Sequence, residues 1–186
     1  NAVIAEVAVG WVDSDIAYGY DEDWTFDGFD PMGYSSTDLY LRDVENRTAD
    51  VRLLSAPGQG LADGSLDWVV GVYALDKEVD FSRDYTFAGG LFSSDYAIDR
   101  LAIYGELATT LAESWRISLG LRAEQHESSY SDSEAVRFAP DDDLIGGRLL
   151  LERSLASGNM LYTALTRGYK AGGFNTSSSL DADLRE

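Results

Sequence analysis

A strict two-residue alternation between Trp115 and Glu124 constrains this chain more than any other feature of its sequence. Successive side chains of a β-strand point to opposite faces, so residues of one parity share a face. The odd positions of this segment are apolar and the even positions are polar or small: Trp115, Ile117, Leu119 and Leu121 against Arg116, Ser118, Gly120, Arg122 and Glu124. The pattern predicts a strand with one apolar face and one hydrated face.

Seven strands of this kind are predicted, and they give an all-β fold class with antiparallel hairpins. Aromatic residues make up 12% of the chain and 18 glycines stand against 3 prolines, which favours strands and turns over helices. No stretch of about 18 apolar residues is present, so a membrane-spanning helix is excluded while a spanning barrel is not. The predicted strands are residues 2–18, 44–56, 66–79, 96–110, 115–124, 144–154 and 160–170.

The connections between these strands alternate between short and long, which places the two kinds at opposite ends of the sheet. The short ones are 57–65, 111–114 and 155–159, and the long ones are 19–43, 76–99 and 127–143. The long connections hold 19 of the 33 acidic residues and only 4 of the 14 basic ones. Short turns opposite long loops are typical of an outer-membrane barrel, here with one strongly anionic end. The net charge of −19 argues against a nucleic-acid partner.

Three aromatic residues, Trp68, Trp115 and Tyr162, stand 47 positions apart near the starts of strands that follow short turns. Tryptophan and tyrosine collect at membrane–water interfaces, so this spacing predicts a belt at one interface of the barrel. Packing of the same residues inside hairpins is the alternative.

The last predicted strand runs into a basic, glycine-rich segment. Residues 160–175 closely resemble the Tyr-x-x-x-Ser/Thr-Arg-Gly-Phe/Tyr-Lys-x-Gly-Gly-Phe-Asn stretch in the barrel of TonB-dependent outer-membrane receptors. The matching positions are Tyr162, Thr166, Arg167, Gly168, Tyr169, Lys170, Gly172, Gly173, Phe174 and Asn175. Weaker resemblances occur at 52–55, 68–73 and 120–124, with Ala123 where that family usually has an aromatic residue and Asp50 where it usually has Glu.

The resemblance implies a function that the residue pattern alone does not reach. Residues 1–186 would be a partial receptor barrel domain, about seven strands of a barrel of about 22, without the plug domain. The family imports scarce ligands, most often ferric siderophores, across the bacterial outer membrane. Its implied partners are outer-membrane lipid, lipopolysaccharide and a TonB-type energy-transducing complex that acts through the plug. No cofactor and no enzymatic activity are implied.

Several residues keep two interpretations at this stage. Arg167 and Lys170 could contact lipid phosphates or an anionic ligand, or could simply extend to the membrane interface. His126, the sole histidine, is expected to be a polar residue facing the lumen rather than a general base. The acidic runs lack the spacing of a calcium loop and are expected to be solvated, and the chain has no cysteine, so no metal site is predicted.

Three other protein classes share part of this pattern. A passive porin or autotransporter barrel has the same two-faced strands, a soluble β-sandwich has similar hairpins, and an outer-membrane hydrolase would add a nucleophile. Cobalamin and oligosaccharides remain alternative transported ligands.

Overall fold

The computed structural model describes residues 2–26 and 28–173 and forms one antiparallel β-sheet. The strands are β1 (Val3–Asp21), β2 (Thr37–Ser55), β3 (Leu66–Tyr85), β4 (Phe92–Ala112), β5 (Trp115–Asp132), β6 (Arg137–Phe138), β7 (Asp141–Ser154) and β8 (Met160–Arg167). Neighbours in the sheet follow the order β1-β2-β3-β4-β5-β7-β8, and the two-residue β6 pairs with the end of β5. The predicted all-β antiparallel fold is confirmed, with β6 as an addition to the seven predicted strands. No helix in the described ranges is long and apolar enough to cross a membrane.

The strands are longer than the sequence pattern predicts, and the three predicted long connections are correspondingly wrong in length. The connections that remain are 22–36, 86–91 and, around β6, 133–136 with 139–140. Strand pairing continues beyond the apolar segments because each backbone still finds hydrogen-bond partners on its neighbours. Most of the acidic residues assigned to loops therefore lie on strands.

The two faces of the sheet differ sharply in chemistry. We call the face that carries Leu119 the outer face and the face that carries Glu124 the inner face. Leu119 lies opposite Leu107 on one side and Leu149 on the other, and all three side chains are exposed. On the inner face, Glu124 is only 6% exposed and Ser118 only 4%. Crowding on the inner face and exposure on the outer face indicate a sheet curved around the inner side.

An apolar band crosses the outer face of every long strand. On β4 it extends from Leu101 to Leu111, which is the length of strand that a tilted barrel strand needs to cross a membrane. Neighbouring strands continue the band in register, for example through Val72 opposite Ile103. Beyond the band, towards the 22–36 connection, the same face becomes acidic.

The acidic region of the outer face is arranged in rows that run across the strands. In one row, four aspartates on four adjacent strands lie directly opposite one another: Asp15, Asp43, Asp80 and Asp95. Burial and the neighbouring carboxylates Asp95 and Asp43 raise the pKa of Asp80. Like charges placed directly opposite each other destabilise a sheet, so this row opposes folding when all four are ionised.

Candidate functional site

The inner face holds a network of charged and aromatic side chains, and its centre is Arg122 on β5. The Arg122 guanidinium forms an ion pair with Glu124, whose side chain is 4% exposed. Its Nε also donates a hydrogen bond of 2.8 Å to the Tyr169 hydroxyl, and that hydroxyl lies 3.2 Å from the Glu124 carboxylate. The guanidinium stands over the Tyr73 ring, 5.2 Å from its centroid. Such cation–π and charge-assisted contacts hold the side chain in one orientation.

Tyr169 reaches this network because strand pairing ends with the pair of Gly147 and Arg167, two residues before it. Continued alternation would place Tyr169 on the outer face with Arg167. Instead the chain departs at Gly168, and Tyr169 packs over Gly146 on the inner face. Three residues later the Gly172 amide donates a 3.2 Å hydrogen bond to Asp142. The basic, glycine-rich segment thus folds back along the inner wall.

A second tyrosine repeats the arrangement on the neighbouring strands. Tyr104 of β4 covers Gly71 of β3, where a β-carbon would stand 2.4 Å from the tyrosine Cζ. Its hydroxyl lies 2.8 Å and 3.0 Å from the two carboxylate oxygens of Asp50 on β2. In both cases an aromatic ring crosses a glycine of the adjacent strand and reaches a charged residue one strand further on. This pattern braces the curved inner wall by covering the gaps that the glycines leave.

His126 occupies the inner face two residues beyond Glu124, as predicted, and is 2% exposed. Neither ring nitrogen has a hydrogen-bond partner among the described residues. Burial lowers the pKa of His126, and the nearby Arg100 guanidinium lowers it further. Its neighbours across the strands are Arg100 and Asp142. The neutral imidazole is therefore favoured at this position near neutral pH.

Towards the acidic end of the sheet, a buried carboxylate organises the inner face of β1, β2 and β3. Asp38 is 1% exposed and forms two hydrogen bonds with Arg83 on β3. The hydroxyls of Tyr40 and Tyr20 also donate to it, at 2.8 Å and 3.3 Å. The Arg83 guanidinium holds the pKa of Asp38 below its usual range, against the opposing effect of burial. Burial raises the pKa of Tyr40.

Aromatic rings surround this carboxylate and form an aromatic wall. Tyr18 and Tyr40 stack with their centroids 4.8 Å apart, and Phe81 continues the row 6.1 Å from Tyr40. Arg42 lies over Phe81, 5.6 Å from the ring centroid, and its side chain is exposed. This end of the inner face therefore offers the exposed ring of Tyr18, the half-buried rings of Tyr40 and Phe81 and an exposed guanidinium to a ligand.

Sequence reasoning did not single out Asp38, Arg83, Tyr40 or Tyr104. The two-residue spacing of Tyr18, Tyr20 and, on the next strand, Tyr40 was the available signal. It was hidden because Tyr20 and Tyr40 fell within the predicted 19–43 connection.

The residues of the basic, glycine-rich motif are distributed over several environments. Tyr162 and Thr166 lie on the inner face of β8, and Arg167 lies on its outer face. Lys170 is exposed, and Tyr169 and Gly172 contact the inner wall as described. Phe174 and Asn175 lie outside the described residues.

The three aromatic residues of the predicted belt do not all lie on the same face of the sheet. Trp68 lies on the outer face opposite Leu107, and Trp115 lies on the outer face opposite Arg153. Tyr162 lies opposite Glu152, on the inner face. All three residues lie near the start of a strand. The first residue of β8 faces inward, however, whereas the first residues of β3 and β5 face outward.

No family model matches the chain, and no curated protein matches it in sequence. Among solved structures it is similar to the ferric yersiniabactin uptake receptor FyuA from Yersinia pestis, with a TM-score of 0.74 and 17% identity. The match covers 96% of this chain and 28% of the FyuA chain. The sheet has the fold of a β-barrel segment.

That fold gives the two faces their roles as the exterior and the lumen of a barrel wall. The inner face presents fixed charges, hydroxyls and rings to the lumen, a surface suited to noncovalent contact with a polar or aromatic partner. Among the described residues no cluster of three or more His, Asp or Glu side chains is arranged to hold a metal ion.

Proposed function

We propose that this chain is part of the barrel domain of an outer-membrane receptor that actively imports a scarce ligand. The observation that carries the proposal is the two-faced sheet, whose fold is similar to that of a ferric siderophore uptake receptor over 96% of this chain. The resemblance of residues 162–175 to the barrel of TonB-dependent receptors supports the same class of protein. The chain spans 28% of the FyuA chain, so the remaining strands and the plug are part of the proposal.

In this proposal the apolar band of the outer face contacts lipid and the inner face lines the passage. The aromatic wall around Tyr40 stands at the acidic end of the sheet, which we assign to the cell exterior. The half-buried ring of Phe81 beside the exposed Arg42 suits the first contact with a planar, anionic ligand such as a ferric siderophore. Deeper in the passage, the Arg122 network and Asp142 present a polar surface to the plug and to the moving ligand.

The energy source distinguishes active import from passive diffusion. A TonB-type complex of the inner membrane would rearrange the plug, and no catalytic chemistry by this chain is required. The test is accumulation of labelled ferric siderophores in cells in which the full-length receptor is the only entry route. We expect accumulation to require the inner-membrane energy source. Equal accumulation without it would favour a passive porin.

A matched pair of variants connects uptake to the inner wall. Tyr169→Phe removes only the hydroxyl that contacts Arg122 and Glu124, and Tyr162→Phe removes a hydroxyl from the same face of β8. We expect Tyr169→Phe to lower the uptake rate while both variants assemble in the outer membrane at the parental level. If Tyr169→Phe left the uptake rate unchanged, the Arg122 network would have no role in transport. If no labelled ferric siderophore accumulates, cobalamin and oligosaccharides are the ligands to test next.

A further inference from the structure

The inner face carries two basic side chains, Arg42 on β2 and Lys77 on β3, that form no ion pair with another described residue. Each of the six other arginines on the described inner face is paired with a carboxylate, as Arg83 is with Asp38. The chain as a whole has a net charge of −19. Two cations without a carboxylate partner in so acidic a chain indicate a place where an anion binds.

The two cations stand at the ends of a short apolar stripe. Arg42 and Asn46 are four residues apart on β2, and Lys77 lies directly opposite Asn46. Val44 and Val79 form the cross-strand pair that lies between them, and both are half-buried. Four residues of strand span about 13 Å, so side chains that lean over the valines can hold two anionic groups about 10 Å apart.

No carboxylate interrupts this stripe. On the described inner face of β1 to β4, the cross-strand rows from Arg42 to Lys77 contain no acidic residue. The acidic residues of the same strand segments, such as Asp43 and Glu78, point to the outer face. An anion on the stripe is therefore close to two cations, and the sheet separates it from the carboxylates outside.

Aromatic and polar groups complete the surface around the stripe. The Arg42 guanidinium stands over the Phe81 ring, 5.6 Å from its centroid, and Tyr96 lies opposite Val79 on β4. The side-chain oxygen of Asn46 is buried, and no described residue donates a hydrogen bond to it. A buried acceptor beside an unpaired ammonium leaves hydrogen-bonding capacity that a donor on a ligand would satisfy.

We propose that this stripe binds a ligand with two negatively charged groups about 10 Å apart, joined by an apolar or aromatic body. One anionic group contacts Arg42, the other contacts Lys77, and the body lies over the two valines. This inference rests on the proposed function and deepens it, because it specifies the charge pattern of the imported ligand. It favours an anionic complex over a neutral oligosaccharide.

The test measures binding of para,para′-biphenyl dicarboxylate to the purified full-length receptor by isothermal titration calorimetry. This probe has a flat apolar body with one carboxylate at each end. The para-monocarboxylate has the same body and one charge fewer, and the ortho,ortho′-dicarboxylate has both charges close together. We expect the para,para′ compound to bind about tenfold more tightly than either, the gain from one additional charge-assisted contact. Equal affinity for the three compounds would overturn the inference.

Three glutamine substitutions locate the site. Lys77→Gln and Arg42→Gln each leave a single cation, and each should lower the affinity for the para,para′ compound about tenfold, to that of the monocarboxylate. Arg153→Gln removes a cation from the outer face, beside Trp115 at the other end of the sheet, and should leave the affinity unchanged. An effect of Arg42→Gln without an effect of Lys77→Gln would show a site for one anion, and would overturn the inference.

Uptake assays on the same receptor separate this inference from the proposed function. Absence of the para,para′ preference in a receptor whose uptake still needs the inner-membrane energy source would overturn the inference alone. Uptake without that source by a receptor that keeps the preference would overturn active import and support the site. Binding of the probe only after removal of the plug would show that the plug already occupies the two cations, and would overturn the inference.

Discussion

The ring of Tyr169 lies across Gly146, so closely that a β-carbon on that glycine would stand 2.9 Å from the ring carbons Cδ1 and Cε1. Strand pairing has already ended at Arg167, so this contact replaces backbone hydrogen bonds in guiding the chain. It also sets the hydroxyl beside Arg122 and Glu124. One glycine of β7 therefore determines where the glycine-rich segment lies.

Substitution of Gly146 by alanine should displace that ring. We expect Gly146→Ala to cost about 1–3 kcal/mol of stability, as other overpacked sites do, and to release Tyr169 from the Arg122 network. Gly168→Ala is the control, because no atom lies within 4 Å of its β-carbon position. Urea unfolding of the full-length protein in lipid vesicles measures the cost, and tyrosine fluorescence quenching reports the release. Equal stability of the two variants would contradict the packing described.

Adjacent leucines of β7 test the assignment of the two faces. Leu149 lies on the outer face between Leu119 and Leu165, and Leu150 lies on the inner face between Ser118 and Ala164. We expect Leu149→Arg to cost about 2–4 kcal/mol, because it places a charge in hydrocarbon near the middle of the band. Leu150→Arg should cost about 1 kcal/mol or less, since it faces the hydrated lumen. Folding yield in lipid vesicles distinguishes the variants. If Leu150→Arg folded less well than Leu149→Arg, the assignment of the inner and outer faces would be wrong.

The aspartate row gives the sheet a pH dependence of definite sign. The pKa of Asp80 is raised, so its contribution to stability is fully present below the unfolded pKa and is lost as pH rises through the folded pKa. We expect the stability of the parent to fall from about pH 4 towards neutral pH. Asp80→Asn should flatten this slope and add about 0.5–1 kcal/mol at pH 7, whereas Asp84→Asn should do neither. A slope that is unchanged by Asp80→Asn would exclude the row as its source.

Removing only the arginine of the buried Asp38–Arg83 pair should cost more stability than removing both partners. Removing the cation by Arg83→Leu leaves the 1% exposed carboxylate uncompensated, and we expect a loss of about 3–5 kcal/mol. The double variant Asp38→Leu with Arg83→Leu should be more stable than Arg83→Leu alone, because no charge remains buried. A double-mutant cycle of unfolding free energies measures the difference. Additive losses would mean that water still reaches Asp38.

Acid should weaken the same pair. The pKa of Asp38 is lowered by Arg83, so its contribution is present above the unfolded pKa of a carboxyl and is lost as pH falls through the folded value. Below about pH 4 this loss opposes the gain from the aspartate row. The parent should therefore be most stable in mildly acidic solution. The Asp38→Leu, Arg83→Leu double variant should lack the decline at lower pH.

The sequence by itself determined the fold class and the two faces of the segments that carry the apolar band. The alternation from Trp115 to Glu124 was sufficient because a strand with one apolar face has an apolar residue at every second position. Above the apolar band the outer face becomes acidic and the inner face carries the aromatic wall, so the alternation changes phase, and the strands there were read as loops. Pairing with neighbouring strands extends them, and that information is not local.

Only the tertiary structure decided which side chains meet on the inner wall. Tyr169 would face outward by parity, and it faces inward because pairing ends at Arg167 and Gly146 leaves space for its ring. Tyr162 was predicted to share a face with Trp115 from its spacing, but the register of β8 places it on the other face. A shift of one residue exchanges the two faces of a strand. Register depends on contacts between strands that lie far apart in the chain, so no local pattern could have fixed it.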